Sequence, residues 1–273
     1  MPQIKVLVLT GYGTNCERET AYICRIAGAD QVSIAHFADL VQETIRLTDF
    51  NFLIFPGGFL DGDHLGAAQA AASRFKHTTT RSGLSLVQEI IDLHARGGLI
   101  MGICNGFQLL VKLGLLPATG SKYLSREVSL GHNDSARFED RWVYLQPDQD
   151  SPCVFTQGLG KLYLPVRHGE GKLIVKDEAT LEKMKQNHHI VLKYTDPSGA
   201  PTQRYPDNPN GSVEAIAGLC DPTGRIFGLM PHPEAYNHRT NHPRWPRGEQ
   251  SESGATLFAN GIAFLRQSGK SYQ

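Results

Sequence analysis

Apolar positions in this chain come as short β-rich runs, each closed by a Gly or Pro turn, with amphipathic stretches between them. Ile4-Lys5-Val6-Leu7-Val8-Leu9 predicts a buried parallel strand that ends in a turn at Gly11 and Gly13. Thr14 to Glu17 offers a helix N-cap. Glu17 to Ala27 predicts a helix closed by Gly28. Gln31 to Ala35 is a second strand, with a short polar helix expected near Ala38 to Arg46. Phe52-Leu53-Ile54-Phe55 is a third strand, stopped by Pro56-Gly57-Gly58. An Ala-rich segment, Leu65 to Ala72, predicts a helix that Thr78-Thr79-Thr80 breaks. A following helix capped by Ser82 carries an apolar stripe of Leu84, Leu86, Val87, Ile90, Ile91 and Leu93. It ends at Gly97-Gly98 and feeds the strand Leu99-Ile100-Met101, after which Phe107 to Leu113 is helical.

Beyond Leu116-Pro117 the pattern changes to shorter alternating runs. Strands are expected at 141–145, 162–166, 190–194, 213–217 and 225–230, with a strong turn at Pro206 to Gly211. The last helix is expected at about Gly254 to Gln267. The alternation of strand and helix in the first half is the rhythm of a doubly wound α/β sheet. The later strands read as mixed or antiparallel additions to it rather than as a separable domain. In such sheets the ligand site lies beyond the carboxyl ends of the strands. Three turns converge there: Gly11 to Asn15, Pro56 to Phe59, and the turn after Met101.

Composition narrows the function. The 273 residues can bury a large core, and a 20% charged content with zero formal net charge leaves no sequence-wide footprint for nucleic acid. No apolar stretch approaches a membrane span, and no secretory signal is seen. Cys16, Cys24, Cys104, Cys153 and Cys220 are scattered and form no Cys-x-x-Cys pair, so neither a zinc ribbon nor a disulfide framework is suggested, and a reducing cytoplasm fits. The sequons at Asn133 and Asn210 read as chance occurrences.

Chemistry concentrates at Gly102-Ile103-Cys104-Asn105-Gly106-Phe107-Gln108. Small residues two before and two after a central nucleophile fit a sharp strand-to-helix turn, where larger side chains would clash. With Cys as the nucleophile this is a thiol elbow, and the helix N-terminus beyond it favours the thiolate. A thiol nucleophile needs a base, and the base an orienter. His232 ends a strand as Cys104 does, Glu234 is two residues on, and Pro231 and Pro233 hold the pair. The backbone N–H of Asn105 and that of Gly58 are candidate oxyanion donors. Gln108 lies one helical turn past the nucleophile and could reach a substrate. His168 and Glu170 border the expected site.

Taken with Pro56-Gly57-Gly58-Phe59 and Pro231-His232-Pro233-Glu234, the elbow resembles the class I, triad-type glutamine amidotransferases. Five further blocks resemble, more narrowly, the glutaminase subunits of phosphoribosylformylglycinamidine synthases: residues 11–17, 58–63, 133–139, 206–212 and 228–234. The resemblance implies a single type 1 amidotransferase domain over residues 1–273, with a flavodoxin-like, mostly parallel sheet flanked by helices and extended by antiparallel strands. It implies a Cys104-His232-Glu234 triad, an oxyanion hole from Gly58 and Asn105, and Gln108 binding glutamine. It also implies ammonia transfer to a synthetase subunit that converts formylglycinamide ribonucleotide to the amidine, with a small accessory subunit. No cofactor or metal is expected on this chain, ATP and Mg being placed on the synthetase.

Some features stand apart from that pattern. Ala67 or Ala68 occupies a position where many members have a further Gly. Extra length sits at Phe75 to Ser82 and Tyr236 to Glu249, the second with His238 and His242 at i, i+4. With no third ligand nearby, these read as a partner- or substrate-facing loop rather than a metal pair. Ser268-Gly269-Lys270-Ser271 lacks the earlier Gly of a P-loop, and Gly11 to Gly13 lacks the third Gly of a dinucleotide fingerprint. Two other readings stay open at this point: a free-standing thiol hydrolase of γ-glutamyl compounds, and a non-catalytic regulatory module on the same fold.

Overall fold

A computed structural model describes residues 3–248 and 251–268. Its centre is a nine-stranded sheet of order β2-β1-β3-β4-β11-β10-β9-β6-β7. The strands are β1 (Lys5–Thr10), β2 (Gln31–His36), β3 (Phe52–Phe55), β4 (Leu99–Ile103), β6 (Glu139–Pro147), β7 (Leu162–His168), β9 (Ile190–Thr195), β10 (Ile216–Cys220) and β11 (Ile226–Leu229). From β2 to β11 neighbouring strands run parallel; from β11 to β7 they run antiparallel. β3, β4 and β11 are buried at every position, as parallel strands covered on both faces must be. The covering helices are α1 (Glu17–Ile26), which packs on α7 (Ala255–Ser268), and a group of α3 (Gln69–His77), α4 (Leu86–Ala95) and α5 (Asn105–Leu113). The expected class therefore holds, with the antiparallel additions joined to the same sheet.

Register positions the site. Phe55 pairs with Gly102, and Leu229 with Ile103. The turns after β3, β4 and β11 consequently leave the sheet at one level, side by side. The Gly11 to Asn15 turn joins them, since Phe59 N donates to Gly13 O at 2.8 Å and Thr14 bridges Gly58. α5 is buried at every residue, packed between the sheet, α3 and a separate two-stranded ribbon of β5 (Val128–His132) and β8 (Glu170–Val175).

Several expectations are corrected. The helix near Ala38 to Arg46 is only α2 (Phe37–Val41); Glu43 turns to φ 58° and Thr44 N folds back onto Asp39 O, which stops it. The Ala-rich helix starts at Gln69, because Ala68 sits in the left-handed region at φ 59°. Ser82 does not cap α4: that helix begins after Ser85, and Ser82 instead bonds Glu43 and Thr80. Residues Val213–Ala215 form a 3-10 turn, with Glu214 at φ 53°, before β10 begins. The ribbon β5–β8 and helix α6 (Glu178–Gln186) were not anticipated. Asp177 caps α6 by accepting from Thr180 N at 2.8 Å. The end of the Ser268 to Ser271 stretch lies outside the described residues, as does Glu249.

All five cysteines are free thiols. Asn133 and Asn210, the sequon residues, are 3% and 0% exposed in the folded protein. The loop after Tyr236 is anchored, not free: His242 is buried against the rings of Trp142, Tyr163 and Tyr236. Neither His238 nor His242 belongs to a three-ligand cluster among the described residues.

Candidate active site

Cys104 joins β4 to α5 at φ 51° and ψ −103°, a conformation that L-residues rarely adopt. The flanking glycines are explained by space. A Cβ on Gly106 would lie 1.9 Å from Phe55 O, and one on Gly102 would lie 2.6 Å from the Gly106 backbone. The elbow is thus wedged between its own helix and the end of β3. Cys104 N is tied to Leu229 O at 2.8 Å, which locks the elbow to β11.

His232 follows β11 and is 2% exposed. Its Nδ1 lies 2.6 Å from Glu234 Oε1, itself buried, as the two-residue spacing and paired prolines predict. The far nitrogen, Nε2, is buried, with no nitrogen or oxygen partner among the described residues. Burial alone disfavours charge on this ring, but the Glu234 carboxylate and the Cys104 sulfur beside it, with Cys16, raise its pKa well above the ordinary histidine value. Gly57 makes room for the ring; a Cβ there would stand 2.7 Å from His232 Cε1.

Cys104, His232, Gly58 and Gln108 open onto one cavity of about 240 Å³. Its far wall is the end of β7 and the following residues. That segment crosses the site in sequence order. Pro165 O accepts from His232 N at 2.8 Å, Arg167 O faces Cys104 Sγ at 3.6 Å, and Glu170 O accepts from Gln108 Nε2 at 2.5 Å. His168 and Glu170 line the cavity, as their place after a strand suggested. His238 and His242 are not part of it.

Two expected residues lie off the cavity wall. Glu234 stands behind His232 rather than on the cavity wall, which suits an orienter. Asn105 is also off the wall: its side chain accepts from Leu60 N at 2.9 Å and donates to Gln108 Oε1 at 3.0 Å. It braces the Gly57-Gly58 turn and aims Gln108, while its backbone N–H belongs to the first turn of α5, where helices leave donors unpaired.

Sequence reasoning missed Cys16 and Asp63. Cys16 Sγ, a His232 ring nitrogen and a Glu234 oxygen lie within 4.8 Å of one another, so the imidazole interacts with two thiols, Cys104 and Cys16. Burial raises the Cys16 pKa, and hydrogen bonding to His232 works against that. Asp63 lines the cavity with Oδ1 buried and unpartnered; burial and then the Glu170 charge raise its pKa. The clue was available: both residues sit in turns that the strand order brings to the Cys104 end of the sheet.

With this geometry in place, the relationships of the chain are informative. A family model, the CobB/CobQ-like glutamine amidotransferase domain, matches residues 3–265. The phosphoribosylformylglycinamidine synthase subunit PurQ of Dehalococcoides mccartyi is 44% identical over 269 residues, covering 98% of this chain and 100% of that protein. The phosphoribosylformylglycinamidine synthase of Drosophila melanogaster is 35% identical over 265 residues, which cover 94% of this chain and 19% of the fly protein. A chain from the structure of PurLQS of Thermotoga maritima superposes with a TM-score of 0.70 at 29% identity, covering 97% of this chain and 100% of its own.

Proposed function

The chain belongs to the CobB/CobQ-like glutamine amidotransferases, and to the PurQ subunits among them; from that membership we propose that Cys104, His232 and Glu234 carry its glutaminase chemistry. Its function is that of the glutaminase subunit of phosphoribosylformylglycinamidine synthase in purine biosynthesis. Its partners are the synthetase subunit PurL and the small subunit PurS, and its substrate is glutamine. The observation that carries the site assignment is the cavity shared by the Cys104 thiol and the Glu234-bound imidazole.

In the proposed cycle the Cys104 proton passes to His232 Nε2, and Sγ attacks the γ-carboxamide carbon of glutamine. As the C–N bond breaks, the imidazolium returns its proton to the leaving amine, giving ammonia and a γ-glutamyl thioester. His232 then takes a proton from water, whose oxygen attacks the thioester. The C–S bond breaks, glutamate leaves and the thiol is restored. Glu234 holds Nδ1–H in place, so that Nε2 always faces the thiol. The Gly58 and Asn105 N–H groups are the proposed donors to the tetrahedral oxyanion, and Gln108, held by Asn105 and Glu170 O, the proposed glutamine contact. Both the strained elbow and the cavity lie at the end of the sheet where α/β folds bind ligands. ATP and Mg act on the synthetase side in this reading. No helix among the described residues is long and apolar enough to cross a membrane, and we place the complex in the cytoplasm.

Glutaminase turnover of the assembled synthase with Cys104→Ala in this subunit is the direct test. Loss of glutamine-dependent product with retained ammonia-dependent product is expected. Retained glutamine hydrolysis would remove Cys104 from the mechanism. A γ-glutamyl hydrolase acting alone would instead show full turnover without the synthetase.

A further inference from the structure

His168 is the one histidine of the cavity wall that the proposed cycle leaves unused. It is 3% exposed, and its ring position is fixed. A Cβ on Gly171 would sit 2.7 Å from both Cε1 and Nδ1, so the main chain there packs directly on the ring. On the other side is Asn133, at the start of the turn after β5. Its Nδ2 donates to two backbone carbonyls, Arg137 O at 2.9 Å and His168 O at 2.7 Å. That use of both amide protons fixes the amide orientation. Asn133 Oδ1, 3.0 Å from His168 Nδ1, is therefore an acceptor, and Nδ1 must carry the proton. His168 Nε2 is then a bare lone pair. It is buried, has no partner among the described residues, and belongs to a residue that lines the cavity, on the same segment whose Arg167 O faces Cys104 and whose Glu170 O accepts from Gln108.

A buried acceptor with no protein donor among the described residues calls for an explanation, and one on a residue that lines a cavity is placed to meet what enters it. Protonation does not rescue it, since burial and the nearby charge of His232 push the His168 pKa down to about 3. The ring thus stays a neutral acceptor across the working range of pH. Of the atoms that reach the floor of this cavity beside Cys104, only one kind differs between substrate and product. Glutamine brings an NH2 group, a donor, to its γ-carbon. Glutamate brings an oxygen there, which would set lone pair against lone pair.

We propose that His168 Nε2 accepts a hydrogen bond from the γ-carboxamide NH2 of glutamine, making His168 the residue that distinguishes carboxamide substrate from carboxylate product. The inference rests on glutamine being the substrate attacked at Cys104. It gives the site two separate readers. The triad breaks the C–N bond, and His168 recognises the nitrogen before it leaves. Sites built to pair a substrate N–H reject analogues that lack it, because the site's own buried group is then left unpaired.

The test compares three substitutions in the assembled synthase, reading KM for glutamine against the inhibition constant for glutamate. His168→Asn keeps a donor at the Nδ1 position for Asn133 but has nothing at the Nε2 position. His168→Gln reaches the Nε2 position and can present an acceptor there. His168→Met has the same reach with no oxygen or nitrogen. The glutamine-to-glutamate preference is expected to fall roughly tenfold in the Asn and Met variants, the worth of one hydrogen bond with its partner left unpaired. It is expected to recover toward wild type in the Gln variant. A merely structural histidine would give the opposite order, with Asn benign and Gln as damaging as Met, and that order overturns the proposal. If His168→Asn fails to fold, the Gln and Met pair decides alone, and equal preference in those two overturns it. The underlying reading is checked separately by Cys104-dependent glutaminase activity in the wild-type complex, so loss of one does not disguise loss of the other.

Discussion

Replacing Glu234 by Gln probes the buried carboxylate that sets both the tautomer and the charge of His232. The wild-type contact is short, 2.6 Å from Nδ1 to Oε1, with both side chains almost wholly buried. Gln is isosteric, so its carbonyl oxygen can still accept from Nδ1–H. What disappears is the negative charge, and a hydrogen bond to a charged group is worth about 1.5–3 kcal/mol in place of about 1 for a neutral one. If the whole of that difference, about 0.5–2 kcal/mol, is felt where imidazolium forms, glutamine turnover should fall by roughly 2- to 30-fold. The new NH2 lands where Oε2 sits buried with no partner, which adds two unpaired donors and about 1–3 kcal/mol of destabilisation. A larger loss, on the order of 10⁴-fold, would mean that the amide has flipped and turned the imidazole to the wrong tautomer. The pH profile gives an independent reading. Removing the carboxylate takes away the strongest force that raises the His232 pKa, so the imidazolium is lost at a lower pH and the alkaline limb of glutaminase activity moves acidward. The same sign appears in stability. A raised histidine pKa stabilises the fold most below the ordinary value and less as pH rises through the raised one, so the wild-type margin over the variant should be widest at acid pH. The assay is steady-state glutaminase activity of the complex across pH, beside thermal unfolding of the subunit. A variant with wild-type turnover and an unmoved alkaline limb would refute the role given to Glu234.

Three other expectations are simpler. Asp221, 0% exposed, has its pKa raised by burial but brought net down to about 2 by His94, the Ile226 amide and Thr223, from an ordinary 3.8. Its contribution, about 2 kcal/mol, is present above pH 3.8 and lost as pH falls toward 2, so Asp221→Asn should flatten acid unfolding in that window. Ala68→Gly should raise the melting temperature, because the residue sits at φ 59°, where Gly carries no Cβ penalty; a gain of about 1 kcal/mol is expected, and a loss would show that the buried methyl matters more. His242→Ala removes a buried ring from the Trp142–Tyr163–Tyr236 cluster and should make the 237–247 segment the first site of limited proteolysis, with glutamine turnover largely kept.

What the sequence reveals depends on how local the determinant is. Cys104 is legible because its glycines flank it within five residues of chain, although Phe55 on a neighbouring strand is what requires Gly106, and His232 with Glu234 because a single residue separates them. The convergence of their turns follows from strand order, which short β-rich runs with helices between them indicate. The orientation of His168 is not legible. It is set by Asn133 from 35 residues away and by the backbone of Gly171, neither of which has a local signature. The Ala67 amide meets Glu170 across 103 residues, a distance no periodicity reports. The ribbon of β5 and β8 was hidden for a related reason. β8 follows β7 after only Gly169, so one run of sequence serves two sheets. Helix α6 is a different matter: Asp177 before Glu178-Ala179-Thr180 is an ordinary capping signal, overshadowed by the strand-rich segments around it.

The left-handed conformation of Cys104 has a consequence for how this subunit can age. A backbone held there costs about 1–3 kcal/mol, and Gly is the residue that would relieve it. Mutational drift at this codon therefore has a downhill direction, toward a sturdier protein without the proposed nucleophile. Thermal stability and nitrogen supply are opposed at a single Cα. A lineage able to draw free ammonia from its surroundings would lose the nucleophile early while the surrounding elbow, wedged against Phe55, kept its shape.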